Sequence, residues 1–101
     1  MTVTWVAYED MAAGQVVLEV DATSVRVFSS RSAEARQIHL SQLRVTPSGP
    51  DRKGRHQIEL TASPNGAGRV DLHTDGAGAA RIQAWLEIVA RNRAALPAPL
   101  L

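Results

Sequence analysis

Ala79-Ala80-Arg81-Ile82-Gln83-Ala84-Trp85-Leu86-Glu87-Ile88-Val89-Ala90-Arg91-Asn92-Arg93-Ala94-Ala95 is the stretch that decides how this chain folds. Ile82, Trp85, Leu86 and Val89 recur at helical offsets and fall on one stripe of an α-helix. Alanine is frequent and neither Gly nor Pro interrupts the segment, so local propensity agrees with the pattern. Thr74 or Asp75 can cap the start by accepting a backbone N–H. Arg91 and Arg93 sit near the negative end of the helix dipole, and Pro97 marks a stop. Glu87 precedes Arg91 in the order that favours an ion pair on a helix surface. A single amphipathic helix cannot bury its stripe alone, so the rest of the chain must supply a sheet or barrel beneath it. Trp85 is the natural structural anchor: its indole buries a large apolar area while its N–H finds one partner.

Working outward from that helix, the preceding chain reads as short strands and turns. Residues 3–8 are β-rich, with Val3, Trp5 and Ala7 on one face and Val6 and Tyr8 on the other. Residues 9–14 read as an acidic loop. Residues 15–21 alternate, with Val16, Leu18 and Val20 on one face and Glu19 opposite; Val25 and Val27 resume that face after a tight turn at 21–24, which makes a hairpin. Residues 29–35 form a polar loop. In 36–46, Ile38 and Leu40 share one parity and Leu43 and Val45 the other. A strand keeps its face by strict alternation, so Ser41-Gln42 must hold a bulge or corner. Residues 46–54 are turn-rich. Ile58, Leu60 and Ala62 then face inward, 63–68 turn, and Val70 and Leu72 face inward again.

The order is about seven antiparallel strands followed by one amphipathic helix. Arg36-Gln37-Ile38-His39-Leu40-Ser41-Gln42-Leu43-Arg44-Val45 resembles the polar-x-I-x-L-x-x-I/L-x-V stretch of pleckstrin-homology (PH)-like domains. The helix carrying Trp85, with Leu86, Ile88 and Val89, resembles their capping helix and its single tryptophan. The resemblance covers nearly the whole chain. It implies a mainly β fold with one C-terminal α-helix, a strongly bent barrel plugged by that helix. It divides the chain into a PH-like domain over 1–96 and a flexible tail over 97–101. The phosphoinositide-binding members of the family carry a basic Lys-x-Arg type motif around the first hairpin loop. The loops that match here, 9–14 and 21–24, contain acids and no Lys or Arg, which argues against phosphoinositide recognition.

With 101 residues the chain is one domain with one modest core. Its formal charge of +1 gives no large field toward nucleic acid or membrane. Ten of its 11 basic residues are arginine, a composition that points to coding bias rather than to function. There is no cysteine, so no disulfide framework and no thiol chemistry. The N-terminus lacks a basic region followed by an apolar run, and no apolar run is long enough to span a bilayer, so a cytoplasmic protein without a signal peptide is expected.

No catalytic motif is present, and no enzyme activity or cofactor is expected. Glu19 with Asp21, and Asp71 with Glu59, lie on outward positions or in turns. His39, His56 and His73 lie in three different strands with no Cys to complete a zinc site, so no metal is expected. The run 75–78 precedes the helix but matches no dinucleotide or Walker pattern, and reads as a strand-to-helix turn. Arg52, Lys53, Arg55 and His56 form the one basic cluster, a candidate anion or peripheral-membrane site; no aromatic residue is interleaved with it, so it offers no platform for single-stranded nucleic acid. Val17, Phe28 and Tyr8 (or Val6), with Leu100 and Leu101, are the candidate exposed apolar residues. The expected function is therefore a non-enzymatic module that binds a protein or peptide through an exposed strand edge or apolar patch, with homodimerisation through the same surface as a close variant.

Overall fold

A computed structural model describes residues 3–32, 34–62 and 68–97 of the chain. The alternating segments become seven antiparallel strands: β1 (Thr4–Asp10), β2 (Gly14–Val20), β3 (Ser24–Ser29), β4 (Arg36–His39), β5 (Leu43–Ser48), β6 (His56–Ala62) and β7 (Val70–Thr74). They pair in chain order into a four-stranded sheet, β1-β2-β3-β4, and a three-stranded sheet, β5-β6-β7. One helix, α1 (Gly76–Ala94), closes the described chain. The fold is mainly β with a C-terminal helix, as the sequence pattern implied. The turn expected at 63–68 falls largely outside the described residues, as do positions 98–101 of the expected tail, including Leu100 and Leu101.

The parity slip at Ser41-Gln42 is a corner. Residues Leu40–Gln42 form a single 3₁₀ turn whose start is capped by His39, where Nδ1 accepts from the Ser41 N–H at 3.1 Å. Ser41 and Gln42 are exposed while Leu40 and Leu43 on either side are buried. The chain thereby leaves the first sheet and enters the second with its apolar face still turned inward. Pro47 lies in β5, an edge strand, the place in a sheet where proline is tolerated.

Between the sheets lies one core. Val16, Leu18, Val20, Val25 and Ile38 enter it from the first sheet, Ile58, Leu60 and Leu72 from the second, and Ile82, Trp85 and Val89 from the helix. Each such side chain stabilises the fold by about 1.5–3 kcal/mol when removed from water. Leu86 packs partly buried against the same cluster. Trp85 is the anchor expected, but its Nε1 finds no partner among the described residues, contrary to the expectation for a buried indole. Nor do Glu87 and Arg91 pair; the ion pairs among the described residues lie elsewhere.

The helix begins at Gly76, directly after the Thr74-Asp75 pair expected to cap it. Asp75 caps it, accepting from the Gly78 N–H at 2.9 Å. Gly78 sits against Thr74 so closely that a Cβ there would come 1.8 Å from the Thr74 Oγ1. Further along, α1 packs on β1, and Arg81 donates from Nη1 to the Ala7 carbonyl at 3.2 Å. At its far end Asn92 donates to the Asp21 carbonyl at 3.0 Å and Arg93 donates to the Leu43 carbonyl. These polar ties fix the helix over β1, over the β2–β3 turn and over the corner.

Candidate functional site

The outer face of the four-stranded sheet is set by the register of its first hairpin. Only Met11, Ala12 and Ala13 lie between β1 and β2, since β1 runs through Asp10 rather than ending before Glu9. The pairs Val6↔Leu18 and Tyr8↔Val16 put the even residues of β1 with the buried even residues of β2. Odd residues therefore face out: Trp5 beside Glu19, Ala7 beside Val17, and Val17 beside Phe28 on β3. Trp5 is 63% exposed and Phe28 38%, while Val17 is half-buried. Val17 and Phe28 thus adjoin on one face. Arg26 closes one side of this face, reaching Glu19 at 3.4 Å and Asp21 at 2.9 Å.

Tyr8 does not belong to this surface, contrary to expectation. It is 3% exposed and its hydroxyl donates to Asp10 Oδ2 at 2.6 Å. Burial, with the hydrogen bond and negative charge of Asp10, pushes the Tyr8 hydroxyl far above its ordinary pKa. Trp5 takes its place as the principal exposed aromatic. Both faces of β1 are apolar, so alternation alone could not choose between them. The odd number of residues in the β1–β2 turn is the signal that decides, because it pairs even with even across the hairpin.

Asp10 ties that hairpin to the second sheet. Besides Tyr8, it accepts from the N–H groups of Ala12 at 2.8 Å, Ala13 at 2.9 Å and His73 at 2.8 Å. Burial alone would raise its pKa, but these hydrogen bonds outweigh burial and hold the carboxyl below its usual range. The Met11 N–H donates to the His73 carbonyl at 2.9 Å, which seats the turn on the edge of β7. Asp21 serves the next turn in the same way. The N–H groups of Thr23 and Ser24 come first among the groups that lower its pKa, with Arg26 assisting against partial burial.

The basic cluster is divided. Asp51 accepts from the N–H groups of Lys53 and Arg55 and from Arg55 Nε, at 2.8–2.9 Å, which holds its carboxyl low and shapes the loop. Gly49 has φ 104°, and a Cβ there would come 2.8 Å from the Arg55 carbonyl. Arg52 and Lys53 are exposed at the loop tip. Arg55 and His56 instead line a cleft of about 410 Å³ together with Met11, Ala12, Ser48, Gly49, Asp51, Gln57 and His73. His73 is half-buried there, and its buried Nδ1 has no partner among the described residues.

The remaining candidates have structural partners. Arg26 lies between Glu19 and Asp21, and Arg69 bridges Glu59 at 3.3 Å and Asp71 at 3.2 Å, so neither acid pair has the freedom of a general acid and base. His39 caps the corner turn. Among the described residues no three metal-ligating side chains converge, and no helix is long and apolar enough to cross a membrane. A comparison with family models, curated proteins and solved structures finds no match to the chain.

Proposed function

We propose that the chain is a non-enzymatic binding module of PH-like architecture that docks a protein on the outer face of its four-stranded sheet. Four strands, a corner, three strands and a closing helix support the PH-like assignment, though the two sheets share no strand pairing among the described residues. The observation that carries the docking face is Trp5, the most exposed large hydrophobic residue among the described residues, lying on one surface with Val17 and Phe28. Tryptophan is the residue most enriched where binding energy concentrates. The face is favoured over the β1 edge because α1 covers that edge and Arg81 takes the Ala7 carbonyl.

A second copy of the chain is the occupant to test first. Trp5 lies on β1 beside the Glu19–Arg26 ion pair, so an apolar anchor and both signs of charge share one face, a composition that a two-fold contact of the face with itself can match. Sedimentation across a concentration series is expected to give a dimer, and a monomer for Trp5→Ala/Phe28→Ser. A monomer throughout excludes the homodimer. A photo-cross-linking residue at Phe28 should then capture one defined protein, and its equal capture by the Trp5→Ala chain would overturn the docking face.

A further inference from the structure

The cleft beside the β1–β2 turn lies apart from the docking face, and its volume of about 410 Å³ falls within the range that small-molecule sites occupy. We propose that it binds a small organic carboxylate, with the head on donors of Arg55, Gln57 and His73 and the apolar body on Met11 and Ala12.

Hydrogen-bond accounting supports this ligand class. Asp51 is the one acid in the lining, and its oxygens are already engaged by Lys53 and Arg55. Arg55 spends only its Nε on that contact, and its terminal amino groups have no other partner among the described residues. The Gln57 side chain likewise has none. The buried Nδ1 of His73 also lacks a partner among the described residues. A bare lone pair is better tolerated in a protein interior than an N–H without an acceptor, so a ring with no acceptor beside its buried Nδ1 is best satisfied with an N–H at Nε2, a further donor. Donors therefore outnumber free acceptors in the lining, and a ligand must bring acceptors. Charge narrows the class. Asp51 and Arg55 cancel, so the lining has no strong positive field to hold a multiply charged phosphate, whereas a singly charged carboxylate suits it. Met11, 54% exposed at the rim, supplies the adaptable apolar wall that an organic body needs.

The test is a two-dimensional amide NMR titration of the whole chain with benzoate, and in parallel with benzamidine, a cation of the same shape. Benzoate is expected to give saturable shifts at Gly49, Gln57 and His73 with a Kd of about 1 mM, the affinity a ligand of that size can reach. His73→Ala or Gln57→Ala should weaken it about tenfold, the loss of one charge-assisted hydrogen bond. An equal response to benzamidine, shifts centred on Arg52 and Lys53, or no saturation would each overturn the proposal. The wild-type titration decides the matter even if a variant fails to fold, and it is independent of the docking face.

Discussion

The two tryptophans sit on opposite sides of one sheet and show how differently its faces are used. Trp85 is 2% exposed on the inner side, among residues from both sheets; Trp5 is 63% exposed on the outer side, beside Glu19, with the Val17–Phe28 pair nearby. The side chains are chemically identical. What separates them is the apolar area each withdraws from water, about 25 cal/mol for every Å². Inner residues determine whether the chain folds. Outer residues are left free for binding, and it is their exposure that makes them candidates.

The sharpest way to break this contrast is to remove Trp85. Trp85→Ala should cost about 3–5 kcal/mol by urea denaturation, because the cavity cannot fully collapse. That is a large share of the 5–15 kcal/mol by which a domain is ordinarily stable. Because the Trp85 Nε1 has no partner among the described residues, Trp85→Phe forfeits none of the hydrogen bonds they form. It should cost only about 1–2 kcal/mol, the price of lost volume. A loss equal to that of the alanine variant would show that the indole N–H is satisfied after all.

Asp10 comes next. Asp10→Ala strands the Tyr8 hydroxyl and three N–H groups, and is expected to cost about 2–4 kcal/mol. The pH dependence has a definite sign. Asp10 and Asp21 both have lowered pKa values in the folded chain. Their contribution is therefore complete above the unfolded carboxyl pKa of about 3.9 and disappears as pH falls through the folded values. Thermal unfolding followed from pH 7 downward should show stability falling below about pH 4, with a shallower fall in Asp10→Asn.

Much of this inner architecture was legible in the sequence. Clean alternation in β2 and β6 exposed their buried faces, the Ile82/Trp85/Val89 stripe exposed the helix, and the parity slip between Leu40 and Leu43 exposed the corner. In each case a single periodicity met a single buried face. β1 was not legible in this way, because both its faces are apolar and only the hairpin register distinguishes Tyr8 from Trp5. Asp10 read as part of an acidic loop because its four donors include one from His73, 63 positions away. The cleft was hidden for the same reason: His56 and His73 lie in different strands, and only the fold brings them together with Met11.

Two glycines test the contrast at smaller scale. Gly78 faces Thr74, which is 1% exposed and has no room to swing aside. Gly78→Ala should therefore cost about 1–3 kcal/mol by forcing the helix off the sheet. Gly76 has nothing within 4 Å of its would-be Cβ. Gly76→Ala should stabilise the chain by about 0.5 kcal/mol by narrowing the unfolded ensemble. Equal outcomes at the two positions would mean that α1 does not pack on β7 as closely as the Gly78–Thr74 contact implies.

The smallest effect is expected where the functional claim is made. Trp5→Ala should change stability by no more than about 0.5 kcal/mol, since its ring remains largely in water in either state. Phe28→Ser should lose at most its cross-strand pairing with Val17, about 0.2–1 kcal/mol. Acrylamide should quench the emission of Trp5 in the isolated chain, while the Trp5→Phe variant, with Trp85 alone, should emit at shorter wavelength and resist quenching. Binding of a partner would then protect Trp5 without altering Trp85. If either outer substitution cost as much as Trp85→Phe, the outer face would be a second core, and its aromatics would be explained by folding rather than by docking.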